Sequence, residues 1–461
     1  MSSLWAILAR PPVRGPEGMQ NMRGLFRATA MAALVSAMGA GAGELKVSRA
    51  DYAEKLQGFW LGQCLANWTG IVTEMDKIGV GEGEQLVFYT REDWGKEDQP
   101  SFFGFRRPDL SPNIDWVRRA PNQIWGADDD TDIEYMYQHL LAQHETSRLT
   151  GEQIRDGWLT HIFDESNSPL SDGRGGGENF LWVSNQRAHD LMHEGMVPPA
   201  TSDPANNELS EMIDAQLTTE IFGLFAPGRP DIALEMAHLP IRTTASGEAK
   251  LASDFYVIMH ALAATADAGQ PTKEQVHSMA AEARSMLPND STTAKMYDFV
   301  KSRYDAGAAW EQARDEVFQR YQVEQQDGYD MTSREIFCNA CFASGINFAA
   351  SIVSLLYGEG DYQETVKIAV LAGWDSDNPA ATWGGLLGFM AGKQGIEEMF
   401  GQKFSDRYNI HRTRTGFPTP NGVDNFANMA ATGVGIVDRV VVEELGGEIM
   451  GDAWSIPGAA P

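Results

Sequence analysis

Positive charge is the first thing this chain lacks. Its 461 residues hold 36 lysines and arginines against 64 aspartates and glutamates, for a formal charge of −28. So acidic a chain argues against a nucleic-acid backbone or an anionic bilayer as partner. An anionic small molecule stays open, because bound cations reverse a local field, and solubility alone also accounts for the acidity. Cysteine is nearly absent: Cys64, Cys338 and Cys341, an odd count. Cys338-Asn339-Ala340-Cys341 spells CxxC inside a helix-like apolar run, with no strand before it and no second ligand pair for zinc. Two buried core cysteines are expected there. The phosphate-binding patterns GxGxxG and GxxxxGK[ST] are missing, so no Rossmann or Walker site is predicted. Alternating strand patterns are scarce, which leaves an all-α class.

Long apolar runs are missing too, apart from Ala28 to Ala42, which follows Arg23 and Arg27 and ends in small residues. At about fifteen residues it falls short of the roughly twenty that span a bilayer. Its layout is that of a secretory signal cleaved after Ala42, with Met19 or Met22 the more natural start. Residues 1–42 are therefore read as an N-terminal extension with a signal peptide, and residues 43–461 as one domain of an exported, periplasmic protein. Residues 1–42 carry four arginines and one glutamate, so the remainder carries −31. No membrane contact is expected after cleavage. The oligomeric state is not legible.

What is there is mostly helical. Tyr52, Leu56, Phe59, Trp60, Leu61 and Leu65 keep a 3.6-residue stripe, while Gly58, Gly62, Ala66 and Gly70 recur every four residues on another face. Glycine inside a helix costs about 1 kcal/mol against alanine, so such a stripe implies a close packing partner. Glu74 falls where that helix should end. Residues 78–125 read as a long ordered loop of the kind that borders a site. Thr150 to Gln153 spells a capping box, and Thr272 to Gln275, Thr332 to Glu335 and Asp361 to Glu364 follow the same logic. Ile336 to Leu356 is apolar nearly all round, predicting a central buried helix. Asn378 and Pro379 open a last helix whose Gly384, Gly388 and Gly392 repeat the small stripe. From about residue 405, Pro418 and Pro420 point to an irregular tail.

Two acidic clusters stand out. Asp128-Asp129-Asp130-Thr131-Asp132 begins one helical pattern, and Asp375-Ser376-Asp377-Asn378 begins another. Crowded carboxylates cannot all stay ionised without a compensating cation. Oxygen-only donors with neighbouring Asn and Thr suit Mg²⁺, Mn²⁺ or Ca²⁺ rather than zinc. An EF-hand is excluded, since Ile133 and His139 occupy its sixth and twelfth positions. A helix N-cap with solvated neighbours is the plainer reading of Asp128 to Asp132. Asp375 and Asp377 sit between the apolar Ile368 to Leu371 and a glycine-rich helix, where unpaired charge is costly. The clusters are expected to meet around metal. Ser171 to Asn179 is glycine-rich, a mobile surface loop or a backbone cradle for phosphate at Gly175 and Gly176.

In these motifs the chain resembles the ADP-ribosylglycohydrolase family: a glycine-rich helix ending near Glu74, an Asp128 to Thr131 motif, and Gly373 to Gly392 with its small-residue helix. The resemblance covers roughly residues 50–400. It implies a compact orthogonal multi-helix bundle with long ordered loops around a dinuclear site of two Mg²⁺ or Mn²⁺ ions. It implies Asp129, Asp130, Asp375 and Asp377 as ligands, with Asp128 and Asn378 at flanking ligand positions. Glu74, Asp129 and Asp375 would carry catalysis. Gln63 stands at the Asp of the family's early Gly-Asp, and Thr243-Thr244 at a Thr-His pair, which implies Thr244 near the nucleotide. Glu211 to Gln216 is the segment nearest to the family's Asn-Gly…Met-Arg loop. The implied activity is metal-dependent hydrolysis of an N- or O-glycosidic bond of ADP-ribose or a related riboside, on a small-molecule or ADP-ribosylated substrate. A metal-independent two-carboxylate glycosidase and a non-enzymatic metal-stabilised binder remain alternatives.

Overall fold

The computed structural model describes residues 44–80, 87–102, 104, 110–164, 166–171, 176–266 and 272–458. The expected signal segment and Gly175 lie outside them. The fold is 58% helix and 7% strand. Its helices are α1 (Arg49–Gly70), α2 (Asp129–Gln143), α3 (Gly151–His161), α4 (Val183–His193), α5 (Ile221–Phe225), α6 (Pro230–Ile241), α7 (Gly247–Ala263), α8 (Thr272–Ser285), α9 (Thr292–Asp305), α10 (Trp310–Val317), α11 (Phe337–Ala340, one distorted turn), α12 (Ser344–Tyr357), α13 (Tyr362–Ala372), α14 (Asp377–Phe400) and α15 (Phe426–Glu443). Among the described residues, no helix is long and apolar enough to cross a membrane.

The glycine stripes fix the centre of the molecule. A Cβ on Gly62 would press into the Gly384 carbonyl and lie 2.9 Å from Gly388 Cα; one on Gly58 would lie 2.6 Å from Gly392 C. α1 and α14 therefore cross backbone to backbone, as small residues at four-residue spacing allow. At the far end a Cβ on Gly70 would lie 3.0 Å from Asp377 N. The crossing thus delivers the start of α14 to the end of α1. Gly392, at φ +71°, is not part of the helical stripe but a kink in α14.

Local signals hold at several ends. Thr150 and Gln153 exchange the hydrogen bonds of a capping box, and Asp361 accepts the Glu364 N–H at 2.8 Å. Four expectations are corrected. Ile336 to Leu356 is not one helix: Cys338, Asn339 and Ala340 have φ of 52°, 59° and 57°, and α12 starts only at Ser344. Cys338 and Cys341 are not two separate core thiols but a disulfide, while Cys64 is free and buried. Thr332 to Glu335 caps no α-helix; it forms a 3₁₀ turn ending on Glu335 at φ 54°. Nor is the C-terminal stretch irregular. β1 (Glu44–Ser48) pairs antiparallel with β6 (Ala453–Pro457), which pairs antiparallel with β5 (Glu448–Met450). β2 (Trp125–Gly126) runs parallel to β3 (Arg407–Asn409), which pairs with β4 (Val423–Asn425). With α15, whose Phe426, Met429, Val437 and Val440 are buried, these strands close the fold over α1 and α2.

Candidate metal centre

Three segments meet where α1 ends. The turn after α1 brings Glu74, the N-terminus of α2 brings Asp128 to Asp130, and the loop before α14 brings Asp375 and Asp377. Ligand atoms of Glu74, Asp375 and Asp377 lie within 4.8 Å of one another, and so do those of Asp128, Asp130 and Asp377. Asp377 belongs to both sets. The Glu74 turn and the Asp375 loop are joined directly, Met75 N to Trp374 O at 2.9 Å and Trp374 N to Lys77 O at 2.7 Å. Asp128 caps α2 in a reciprocal box with Thr131, so the acids sit where the helix dipole favours negative charge.

Neutral donors hold the carboxylates. Asn67 Nδ2 donates to Asp128 Oδ2 at 3.1 Å and to Asp130 Oδ2 at 3.3 Å. Asn378 Nδ2 donates to Asp130 Oδ1 at 3.2 Å, and its own Oδ1 accepts from Gln216 Nε2 at 3.1 Å. Asn378 thus spends both polar atoms inside the protein, one on Asp130 and one on Gln216, and is not among the residues lining the cleft. Arg412 Nη1 reaches Asp128 Oδ1 at 3.2 Å. Asp377 Oδ1 is buried with no hydrogen-bond partner. Burial pushes Asp129, Asp130 and Asp377 well above the carboxylate range, and neighbouring acids push them further. Asp375 rises to about 7 by burial and then by Glu74. A site that holds protons so firmly when metal-free, with oxygen-only donors and an orphaned buried oxygen, fits a hard divalent cation.

A cleft opens onto these acids. Its lining combines the carboxylates of Glu74, Asp129, Asp130, Asp214, Asp375 and Asp377 with the apolar Trp182, Val183, Ile213, Leu217 and Phe342. Asp214 is buried and accepts the Ser184 N–H at 3.1 Å, which fastens the start of α4 and so Trp182. Burial first sets its carboxyl up at about 6, against the pull of those hydrogen bonds. Glu211 to Gln216 therefore does border the site, through Ile213, Asp214 and Gln216. Gln63 does not: it is fully buried and donates to Glu134. Thr244 is also buried and is not among the cleft-lining residues, and Gly176 is half-buried in a bend. Asn67, Trp182, Phe342 and Arg412 escaped the sequence reading, whereas Asp214 lies in the Glu211 to Gln216 segment it singled out. Asn67 alone carried a signal, a polar side chain one position beyond Ala66 of the glycine stripe.

Asp132 takes no part in the cluster. It is fully buried and paired with Arg414 at 3.0 Å, with Thr413 Oγ1 donating at 2.5 Å. Breaking a buried pair by removing one partner costs about 3–5 kcal/mol, because the other charge stays behind. Arg414→Met is expected to lower the melting temperature accordingly; Asp132→Asn in the same background should recover part of the loss, as calorimetry would read.

Fold and site together define a mostly helical protein with a carboxylate-lined cleft whose acids could hold a metal ion. The family model for ADP-ribosylglycohydrolase matches residues 48–420, and the chain belongs to that family. A solved structure described as an ADP-ribosylglycohydrolase-related protein complex is similar at 15% identity and a TM-score of 0.42, over 84% of this chain and 98% of that one. No curated protein matches.

Proposed function

We propose that this protein is a metal-dependent hydrolase of the N- or O-glycosidic bond of ADP-ribose or a related riboside. One observation carries the reading: two overlapping carboxylate sets, from segments about 250 positions apart, share Asp377. Those sets, Glu74 with Asp375 and Asp377, and Asp128 with Asp130 and Asp377, would hold two Mg²⁺ or Mn²⁺ ions. When bound, such ions anchor ribose hydroxyls, offset developing charge and lower the pKa of a water. The chain's own groups do the rest. Glu74, which lines the cleft close to Asp375, would give or take a proton at the glycosidic atom. Asp129 and Asp375, both half-buried in the same lining, would act on the sugar beside the metal. Trp182 and Phe342, the aromatic part of the lining, would exclude water and offer the aglycone an apolar surface. The N-terminal signal layout supports the periplasm as the setting.

Purified protein offered ADP-ribosyl-arginine, ADP-ribosyl-serine and simple ribosides is expected to turn over at least one of them with Mg²⁺ or Mn²⁺, to stop in EDTA and to recover when metal is restored. Turnover that survives chelation would mean a two-carboxylate glycosidase instead. A metal-dependent rise in melting temperature with no turnover on any riboside would mean a binding protein.

A further inference from the structure

We propose that the Cys338–Cys341 disulfide is a positioning element of the cation site, so that the site's affinity for a divalent metal follows the redox state of this pair. The inference rests on the metal reading above. The bond closes a turn in which three consecutive non-glycine residues hold left-handed backbone, Cys338, Asn339 and Ala340 at φ 52°, 59° and 57°. Side-chain-bearing residues avoid that region, and a run of three persists only when held from outside. The disulfide is the covalent holder.

Two arms run from this turn to the Gly373–Asp377 loop. Asn347, 1% exposed on α12, donates through Nδ2 to Cys341 O at 2.8 Å and Ala343 O at 2.9 Å, and its Oδ1 accepts the Asp375 N–H at 3.2 Å. Gln322, 2% exposed, donates through Nε2 to Asn339 O at 3.3 Å, and its Oε1 accepts the Trp374 indole N–H at 2.8 Å. The turn also leads straight into Phe342, whose carbonyl accepts the Ile213 N–H at 3.0 Å; both residues line the cleft. Asp375, its neighbour Trp374 and the apolar lining are thus all referred back to one four-residue disulfide loop.

Cys338 is the less buried residue of the pair, 8% exposed against 0% for Cys341. A dithiol reductant attacks Cys338 Sγ as its thiolate, and Cys341 Sγ leaves and takes a proton. The reductant's second thiolate then displaces Cys338 Sγ, which is protonated in turn. The reductant ends as a disulfide, and two electrons and two protons pass to the protein. Without the bond the turn relaxes towards right-handed or extended backbone, Cys341 O and Asn339 O shift, and both arms lose their anchor. Partners that orient metal ligands from behind typically cost 10–100-fold in affinity when lost.

The test is Mn²⁺ binding by the full chain, read from the EPR signal of free Mn²⁺ with reductant removed beforehand. Reduction is verified by a denatured thiol count rising from one, Cys64, to three. Affinity is expected to fall about tenfold or more on reduction and to return on reoxidation. The Cys338→Ser/Cys341→Ser variant should sit at the reduced value, and Asn347→Ala should bind weakly with little further response to redox. If the native bond resists the reductant, the double variant carries the comparison; if that variant does not fold, the reduced wild type does. Equal Mn²⁺ affinity in both redox states, with only the melting temperature lowered by reduction, would overturn the proposal and leave the metal site standing. No Mn²⁺ binding by the oxidised protein would instead remove the metal site itself.

Discussion

Asp377→Asn is expected to abolish metal-dependent turnover and, in the same protein, to raise the melting temperature of the metal-free form. The loss follows from Asp377 belonging to both carboxylate sets. A metal ion contributes several kcal/mol of charge stabilisation, and each 1.36 kcal/mol is tenfold, so the drop should be on the order of a thousandfold or more. The gain in stability follows from the same burial. Asp377 is raised well above its ordinary value, by burial first and then by Glu74. A carboxyl raised in the folded state stabilises fully below its unfolded value near 4, and that stability drains as pH climbs towards and through the raised value. The neutral amide escapes this drain. Calorimetry in EDTA should therefore show a larger advantage for Asp377→Asn at pH 8 than at pH 5, and added Mg²⁺ should reverse the order. A variant that keeps turnover and melts like the wild type at both pH values would refute the shared-ligand role.

Gly62→Ala is expected to destabilise the protein although alanine is the better helix former. The intrinsic gain is about 1 kcal/mol. Against it stands a Cβ driven into the Gly384 carbonyl and 2.9 Å from Gly388 Cα, atoms of backbone that cannot rotate aside. Overpacking of this kind costs about 1–3 kcal/mol, and more where backbone must move. With backbone on the other side of the contact the cost lies at the top of that range, so the net effect should be a loss of about 2 kcal/mol. It should reach the site as well, because the same crossing sets Gly70 against Asp377. Weaker Mn²⁺ binding should therefore accompany the lower melting temperature. Gly435→Ala on α15 is the control: its Cβ meets nothing within 4 Å, and it should stabilise by up to about 1 kcal/mol. A Gly62→Ala protein as stable as the wild type would mean that the crossing is not tight.

These effects explain which parts of the molecule were legible beforehand. Gly58, Gly62 and Gly70 announce their partner because the spacing is helical and the cost of glycine in a helix needs an offsetting contact. Asp128 to Asp130 and Asp375 to Asp377 announce themselves because crowded carboxylates are costly wherever they fold. Both are local signals with a tertiary consequence. Trp182 and Phe342 carry no such signal, since they reach the cleft from connecting segments that only the finished packing brings together. Cys338 to Ala340 misleads in the opposite way. Its apolar neighbours continue the helical pattern of Ser344 to Tyr357, and periodicity cannot register that a covalent bond has turned the backbone left-handed. At the C-terminus Val434, Val437, Val440 and Val441 do keep a helical stripe, but Pro418, Pro420 and the glycines Gly433 and Gly435 obscure it.

The central claim is that acids about 250 positions apart serve one cation site. Equilibrium dialysis of Mn²⁺ against the wild type, Asp130→Asn and Asp377→Asn at pH 7.5 tests it most directly. The account expects specific binding by the wild type and a loss of at least about tenfold in each single variant, one from either cluster. Wild-type affinity retained in both variants would contradict it.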